Sequence, residues 1–319
     1  MSLFARLQSQ FSRKNDAPAF AGRESGESIP GVDLDVDDLL RIRHLAERMD
    51  LPKSAPRSTL PGNVAHRRRG RGLEVHDIRS WSDGDDVRHL DRNVMARTGI
   101  PHVRTFREER ERAVLLVADF RPSMLFGTRR ALRSVAAAEA LTLLGWRAAR
   151  DGRVGLMVIQ HDGGHLIRYG RGARAMIAMV SELARAHRNA LASRSRLDPP
   201  LTESLEEADR LAGKNAAIVV ATALDEPGPQ FDEIVARIAL RRDLSFALIA
   251  DRFETAPPQG SYPYATMAGA AGWLSIGANE PQKPDERVAR LQRLGARALS
   301  LDSRLDVEAM APLLERLDG

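Results

Sequence analysis

Apolar residues fall along this chain in three rhythms, and each marks a region. Residues Met1–Pro30 mix Ser, Gly, Arg and Glu without sustained periodicity, which predicts a disordered tail. From Asp35 the segment DVDDLLRIRHLAERM spaces Leu39, Leu40, Ile42, Leu45 and Met49 along one helical face, with acidic residues in its first turn. Pro52, Pro56, Pro61 and Gly62 then break regular structure, and the basic run His66–Arg71 lies in the same loop. Between Gly72 and Arg112 the pattern shortens to extended pieces, LEVHDIRSW and IPHVRTF, around the turn chemistry of SDGDD. That stretch predicts a small β-rich subdomain.

After Arg112 the rhythm changes to all-apolar strands alternating with amphipathic helices. The strands are Ala113–Ala118, Val154–Gln160, a short piece at LIRYG, Ala216–Ala221 and Leu244–Ile249. Helices are expected at about Arg129–Arg150, Arg174–His187, Thr202–Leu211 and Gln230–Arg241, with closing helices near Asp285–Leu294 and Val307–Leu317. Strands without a polar face are buried on both sides, so the expected fold is α/β, a doubly wound, mostly parallel, Rossmann-type sheet. The expected division is a tail at 1–30, an N-terminal helix with the β-rich subdomain at 31–112, and the sheet domain at 113–319.

Composition narrows the function classes. With 43% hydrophobic residues in 319, the chain can bury a large core, which excludes a disordered or fibrous protein. Cysteine is absent, so there are no disulfides, thiolate metal sites or cysteine nucleophiles, and a cytoplasmic location is expected. No apolar run approaches the roughly 20 residues of a membrane span, and Met1–Gln10 lacks a signal core. The net charge of +5 comes with 44 arginines against Lys14, Lys53, Lys214 and Lys283. That excess suits acidic or phosphate partners, but a compositional bias produces the same count. Aromatics at 5% leave few platforms for stacking bases.

In an open α/β sheet, ligands bind beyond the carboxyl ends of the strands. The loops there are DFRPSM, with Asp119, Arg121 and Ser123; TALDEPG, with Thr222 and Asp225; and the one opening at Asp251. None of the motifs GxGxxG, GxxxxGK[ST] or GxSxG is present, so common nucleotide sites and a nucleophile elbow are unsupported.

The stretch Gly70–Met124, above all GDDVRHLD followed by ARTG ahead of a buried strand, resembles the bacterial domain-of-unknown-function 58 family. The resemblance continues more weakly through PLTESLEEA and ADRFE. It implies a von Willebrand factor A-like domain, no established enzymatic activity, and partnership with MoxR-type AAA+ ATPases and other proteins of the same gene cluster in protein assembly or maturation. Such domains hold a divalent ion in a metal-ion-dependent adhesion site through DxSxS, a later threonine and a further aspartate. Here Asp119 matches the first aspartate, Ser123 the second serine and Thr202 the threonine; Asp225 is a looser match for the last aspartate.

The first serine of that motif is Arg121, a permanent cation where a hydroxyl ligand belongs. No cofactor is therefore expected, and Mg²⁺, were it bound, would rest on Asp119, Ser123 and Thr202 alone. Arg121 either replaces the ion, pairing with Asp119 and then with a partner's carboxylate, or forms only a local salt bridge. A second departure is Arg92, where the family carries tryptophan. Asp85, Asp86, Arg88, Asp91 and Arg97 are expected to form an ion-pair network.

The expected function is thus a non-enzymatic interaction module or adaptor that docks an acidic group at a degenerate adhesion site. One alternative is a metal-dependent hydrolase or nuclease using Asp119 and Asp225. Another is a nucleic-acid adaptor gripping phosphates through Arg67, Arg68, Arg69 and Arg71. His161, Asp162 and His165 are metal-ligand types, but HDGGH also reads as a hairpin turn.

Overall fold

The computed structural model describes residues 28–49, 73–83, 85–108, 112–195, 197–213, 215–265, 271–277 and 285–317. All but the last three residues of the expected tail, and the whole basic run His66–Arg71, lie outside them. The elements in chain order are α1 (Val36–Arg41), α2 (Arg43–Arg48), β1 (Leu73–Ser80), α3 (Arg92–Thr98), β2 (His102–Glu108), β3 (Arg112–Asp119) and α4 (Arg133–Ala148). There follow β4 (Gly152–Gln160), β5 (Gly163–Arg171), α5 (Gly172–Ala192), α6 (Leu201–Leu211), β6 (Ala216–Thr222) and α7 (Phe231–Arg241). The chain continues with β7 (Leu244–Ala250), α8 (Arg252–Thr255), β8 (Gly260–Ala265), β9 (Ala271–Ile276), α9 (Glu286–Arg293), β10 (Arg297–Asp302) and α10 (Val307–Leu314). They fall into two compact units, one within Ala55–Glu111 and one made of the remainder.

The smaller unit is an antiparallel pair, β1 with β2, whose register slips between Val75 and Asp77. Between the strands, Asp91 accepts from the amides of Asn93 and Val94 and starts α3, while Gly99, at φ 71°, ends it in the left-handed conformation that glycine adopts freely. The ARTG motif is therefore a helix C-terminus.

The larger unit carries a six-stranded sheet in the order β10-β7-β6-β3-β4-β5. Every neighbouring pair is parallel except β4 with β5, which form a hairpin across HDGGH. This is the doubly wound, mostly parallel α/β sheet that the hydrophobic pattern predicts. Side chains alternate across it: Leu116, Ala118, Val158 and Ala221 join one core with α4, α5 and α10, whereas Leu115, Val117, Ile159 and Val220 join a second core with α6, α7 and α9. Helix α4 is buried at every position but Glu139 and Ala148, which explains its run of alanines. A side chain on Gly145 would come within 2.7 Å of Met176 and 3.0 Å of Leu116.

The structure corrects the expected domain division. Leu39, Ile42, Ala46 and Met49 are buried in the same core as Leu141, Leu144 and Trp146, so the N-terminal helical segment belongs to the sheet unit. A lone amphipathic helix needs an apolar face to cover, and α4 supplies it. That segment is two short helices joined at Ile42 rather than one. Strand β10 and the hairpin β8–β9 were not foreseen. An edge strand with only Leu301 fully buried leaves a weak pattern in the sequence.

Among the described residues His187 is a fully buried imidazole, bonded through Nε2 to the Ser134 hydroxyl at 2.9 Å and packed edge-on against Phe120. Burial, with Arg188 adding repulsion against the opposing pull of Asp33, pushes its pKa from 6.5 down to about 4. The unfolded chain binds this proton near pH 6.5 and the folded chain only near 4, so acid favours unfolding. His187 holds its full contribution above 6.5 and loses it as the pH falls through that window, by at most about 3 kcal/mol. Urea unfolding at pH 7.5 and 4.5 should show that loss in the wild type, with a clearly smaller loss in His187→Gln.

Candidate functional site

The crossovers from β3 run one way to β4 and β5 and the other way to β6, β7 and β10, so the crevice between the carboxyl ends of β3 and β6 is the sheet's switch point. Asp119 closes β3 and Thr222 closes β6, facing each other across it.

Asp119 is fully buried and saturated. Its Oδ1 accepts from Arg121 Nε at 2.9 Å and from the Arg121 amide at 3.0 Å. Its Oδ2 accepts from Arg121 Nη2 at 2.8 Å and from the Thr222 hydroxyl at 2.6 Å. The same guanidinium turns Nη1 to two carbonyls, Pro199 at 2.7 Å before α6 and Glu226 at 2.9 Å after β6. One cation thereby joins the three loops at this edge. Burial opposes its charge, but Asp119, through charge and hydrogen bonding, together with Asp198 and Asp225, raises the guanidinium's pKa above its ordinary value.

The neighbouring residues complete the knot. The Ser123 amide donates to Asp198 Oδ1 at 3.0 Å, and the Ala223 amide to the Met124 sulfur at 3.1 Å. Burial, reinforced by the Asp119 charge, lifts the Asp198 carboxyl above the usual range despite the pull of Arg121. Sequence reasoning missed Asp198; its signal was an aspartate before Pro199 and Pro200 at a helix start. Gly228, at φ 89°, lets the β6–α7 loop close on α6: a side chain there would lie 2.6 Å from the Thr202 hydroxyl and 2.7 Å from Pro200.

Three expectations change. The threonine on Asp119 is Thr222, whereas Thr202 uses its amide to hold Pro227 O at 3.1 Å in the first turn of α6. Asp225 is paired with Arg133 at 2.7 Å, so Asp119 and Asp225 are each neutralised by an arginine rather than presented together to a substrate. Arg121 is 0% exposed with every bond inside the chain, so it has no open face for a partner carboxylate.

A second layer of charge lies beyond this knot. Arg133 also pairs with Glu254 and stacks over Phe126; Arg287 pairs with Asp285 at 2.8 Å and donates to Ala223 O at 2.6 Å. Asp251, after β7, accepts from the Thr128 hydroxyl and amide, the Phe253 amide and the Ser303 hydroxyl. Burial raises the pKa of Asp251, but those donors together hold it below the usual carboxylate range.

In the smaller unit the aspartates of the GDDVRHLD motif hold turns and helix starts. Asp85 pairs with Arg79 at 2.7 Å and holds the Ser82 amide, Asp86 accepts from the Arg88 amide, and Asp91 starts α3. His161 and Asp162 are exposed in the β4–β5 turn, Asp162 lying 3.2 Å from His165.

The donor set at Asp119 does not suit a divalent ion. Both carboxylate oxygens are committed, and the position next to them holds a guanidinium whose charge would repel the metal. Among the described residues no group of three or more His, Asp or Glu is placed to hold a metal.

The family model described as "Protein of unknown function DUF58" matches residues 77–267. Uncharacterized protein Rv1480 of Mycobacterium tuberculosis (strain ATCC 25618 / H37Rv) and Uncharacterized protein Mb1516 of Mycobacterium bovis are each 46% identical over 79 residues, 24% of this chain and 25% of the relative. The chain thus matches about a quarter of the length of these curated relatives. Among solved structures, BatB from Bacteroides thetaiotaomicron aligns at a TM-score of 0.40 and 12% identity, over 65% of this chain and 98% of that one. A von Willebrand factor type A protein from Catenulispora acidiphila aligns at 0.38 and 10% identity, over 67% of this chain and 43% of that one. At such low scores the fold is read from this chain's own strand order.

Removing one member of a buried pair strands the other without its countercharge. Arg121→Ala should cost about 3–5 kcal/mol in denaturant unfolding, whereas Asp119→Leu with Arg121→Met should recover much of that loss.

Proposed function

This chain belongs to the DUF58 family, and we propose that it is a non-enzymatic protein-interaction module whose carboxyl-edge loops are held by an internal arginine in place of a metal ion. The observation that carries the reading is the four-atom grip of Arg121, whose side chain is 0% exposed: two oxygens of Asp119, Pro199 O and Glu226 O. An ion bound by these loops would leave a coordination position for a partner; the guanidinium spends its donors internally. What it offers a partner is a fixed loop surface.

That surface is the outer rim of the same loops. Leu197, 61% exposed, stands beside the Asp198–Pro199 segment, and Glu226, Gln230, Thr128 and Arg129 are exposed around the crevice. A rigid rim with one protruding leucine and mixed charge suits recognition of a protein surface. The resemblance carried by GDDVRHLD and ARTG supports a MoxR-type AAA+ ATPase as that partner, with this chain as its adaptor, and the absence of cysteine suits a cytoplasmic location. The acidic edge gives no support to hydrolysis, since both oxygens of Asp119 accept bonds from within the chain and neither is free to act as a base.

Affinity capture of a MoxR-type ATPase encoded beside this chain tests the reading. Binding by the wild type should be unchanged by EDTA and weakened at least ~10-fold by Leu197→Asp, a rim change that leaves the buried pair intact. Arg121→Ser, which removes the internal cation, should weaken capture as well. Capture that EDTA abolishes in the wild type, or that ignores both substitutions, would sink the proposal.

A further inference from the structure

The GDDVRHLD and ARTG segments belong to the smaller unit and supply none of the carboxyl-edge loops. Their aspartates and turns are spent on shape. Asp85 holds Arg79 and the Ser82 amide, Asp86 the Arg88 amide, and Asp91 the amides that start α3. At the other end of α3 the Gly99 amide donates to Met95 O at 2.9 Å. The Ile100 carbonyl accepts from the Thr98 hydroxyl at 3.3 Å and lies 2.8 Å from His102 Nδ1. The backbone from Ser82 to His102 is thus pinned at both ends of the helix.

What this frame holds up is a set of side chains that its own unit does not use. Within the seven residues of α3, Val94 is half-buried and every other position is exposed. At about 100° per residue, Arg92 and Ala96 point directly away from Val94, with Met95 and Asn93 on either flank. The left-handed reversal at Gly99 turns Ile100 back toward the Met95 end of the helix. Met95 is 37% and Ile100 56% exposed, although the backbone of both is fixed. Apolar side chains presented on a locked backbone have their ordering cost already met, which is what a binding face needs.

Charge says what the occupant should carry. Helix α3 bears Arg92 and Arg97, its first turn has no acidic residue, and Arg88 stands in the turn Val87–His89 just before it. Among the described residues these three guanidinium groups make no ion pair. At the carboxyl edge, by contrast, Asp119, Asp225 and Asp285 consume the arginine charge internally. Cations without countercharges beside exposed apolar groups complement carboxylates that flank an apolar stripe.

We propose that the outer face of α3, built from Arg92, Met95 and Ile100 with Arg88 and Arg97 at its margins, docks an acidic amphipathic helix of a protein partner. Apolar side chains take the place of stacking aromatics there, which favours a protein over a single-stranded nucleic acid. This face uses no residue of the Leu197 rim and stands independently of the function proposed for that edge.

Fluorescence anisotropy with the full chain and a designed helical peptide of about 18 residues, leucine on one face and glutamate on both flanks, tests it. Saturation with a half-point below about 200 μM is expected at low salt, and about 0.3 M sodium chloride should weaken it. Replacing every glutamate of the peptide by glutamine should weaken binding at least ~10-fold, as should Arg92→Glu/Arg97→Glu in the protein. Met95→Ser/Ile100→Ser should weaken it at least ~5-fold. All four substituted positions are exposed, so the denaturant midpoint of the chain should stay at the wild-type value and a loss of binding reads the face itself. Leu197→Asp should bind the peptide as the wild type does, which separates this face from the rim. Absence of saturation at about 1 mM peptide, or binding that ignores either double variant, overturns the proposal. Tighter binding of single-stranded DNA than of the peptide would assign the face to nucleic acid, and a dimer in light scattering that Arg92→Glu/Arg97→Glu dissociates would assign it to a second copy; either result overturns it as well.

Discussion

A carboxylate buried at the end of a central strand must be neutralised, and the larger unit is arranged around how Asp119 meets that requirement. In water its charge would be solvated; in the buried crevice of this sheet it has only the groups the chain can bring. Arg121, two residues on, folds back to bond both oxygens, and Thr222 reaches across from β6. Because the guanidinium is planar and forked, the donors left over point outward in fixed directions, and the carbonyls of Pro199 and Glu226 are drawn to them. Loops far apart in sequence become one surface.

The same solution recurs along the edge. Asp225 is met by Arg133, Asp285 by Arg287, and Asp251 by hydroxyls and amides from three segments. The acidic residues at the strand ends are thus each countered from within the chain, and this accounts for part of the arginine excess. A buried pair of this kind adds little net stability over an apolar substitute, so its worth lies in specifying one arrangement of the loops. Function through a fixed surface and neutralisation by arginine are then two consequences of one constraint.

Much of the fold was legible in the residues. The apolar runs at β3, β4, β6 and β7 have no polar face, so they could only be central strands, and their order of alternation with helices implied a parallel sheet. Asp119, Arg121 and Ser123 were legible as a loop at a strand end, and the unusual arginine was visible as a cation in a ligand position. Thr202 and Asp225 were misplaced because matching a motif along the sequence does not report which hydroxyl or carboxylate reaches across the crevice. Asp198 was missed since an aspartate beside two prolines reads as turn chemistry. The position of the N-terminal helical segment was equally unreadable: its apolar face announced a need for a partner without naming α4.

By itself the sequence determined the local elements, the buried strands and the presence of a permanent charge beside Asp119, because propensity, periodicity and ionisation are properties of short stretches. Only the tertiary structure decided that this charge is spent inside the protein, on Asp119 and on carbonyls some 80 to 105 residues away. That outcome depends on strand order, which brings the ends of β3 and β6 together, and on the packing that shuts water out. A guanidinium with open donors could have met a partner; one closed in by three loops can only hold them.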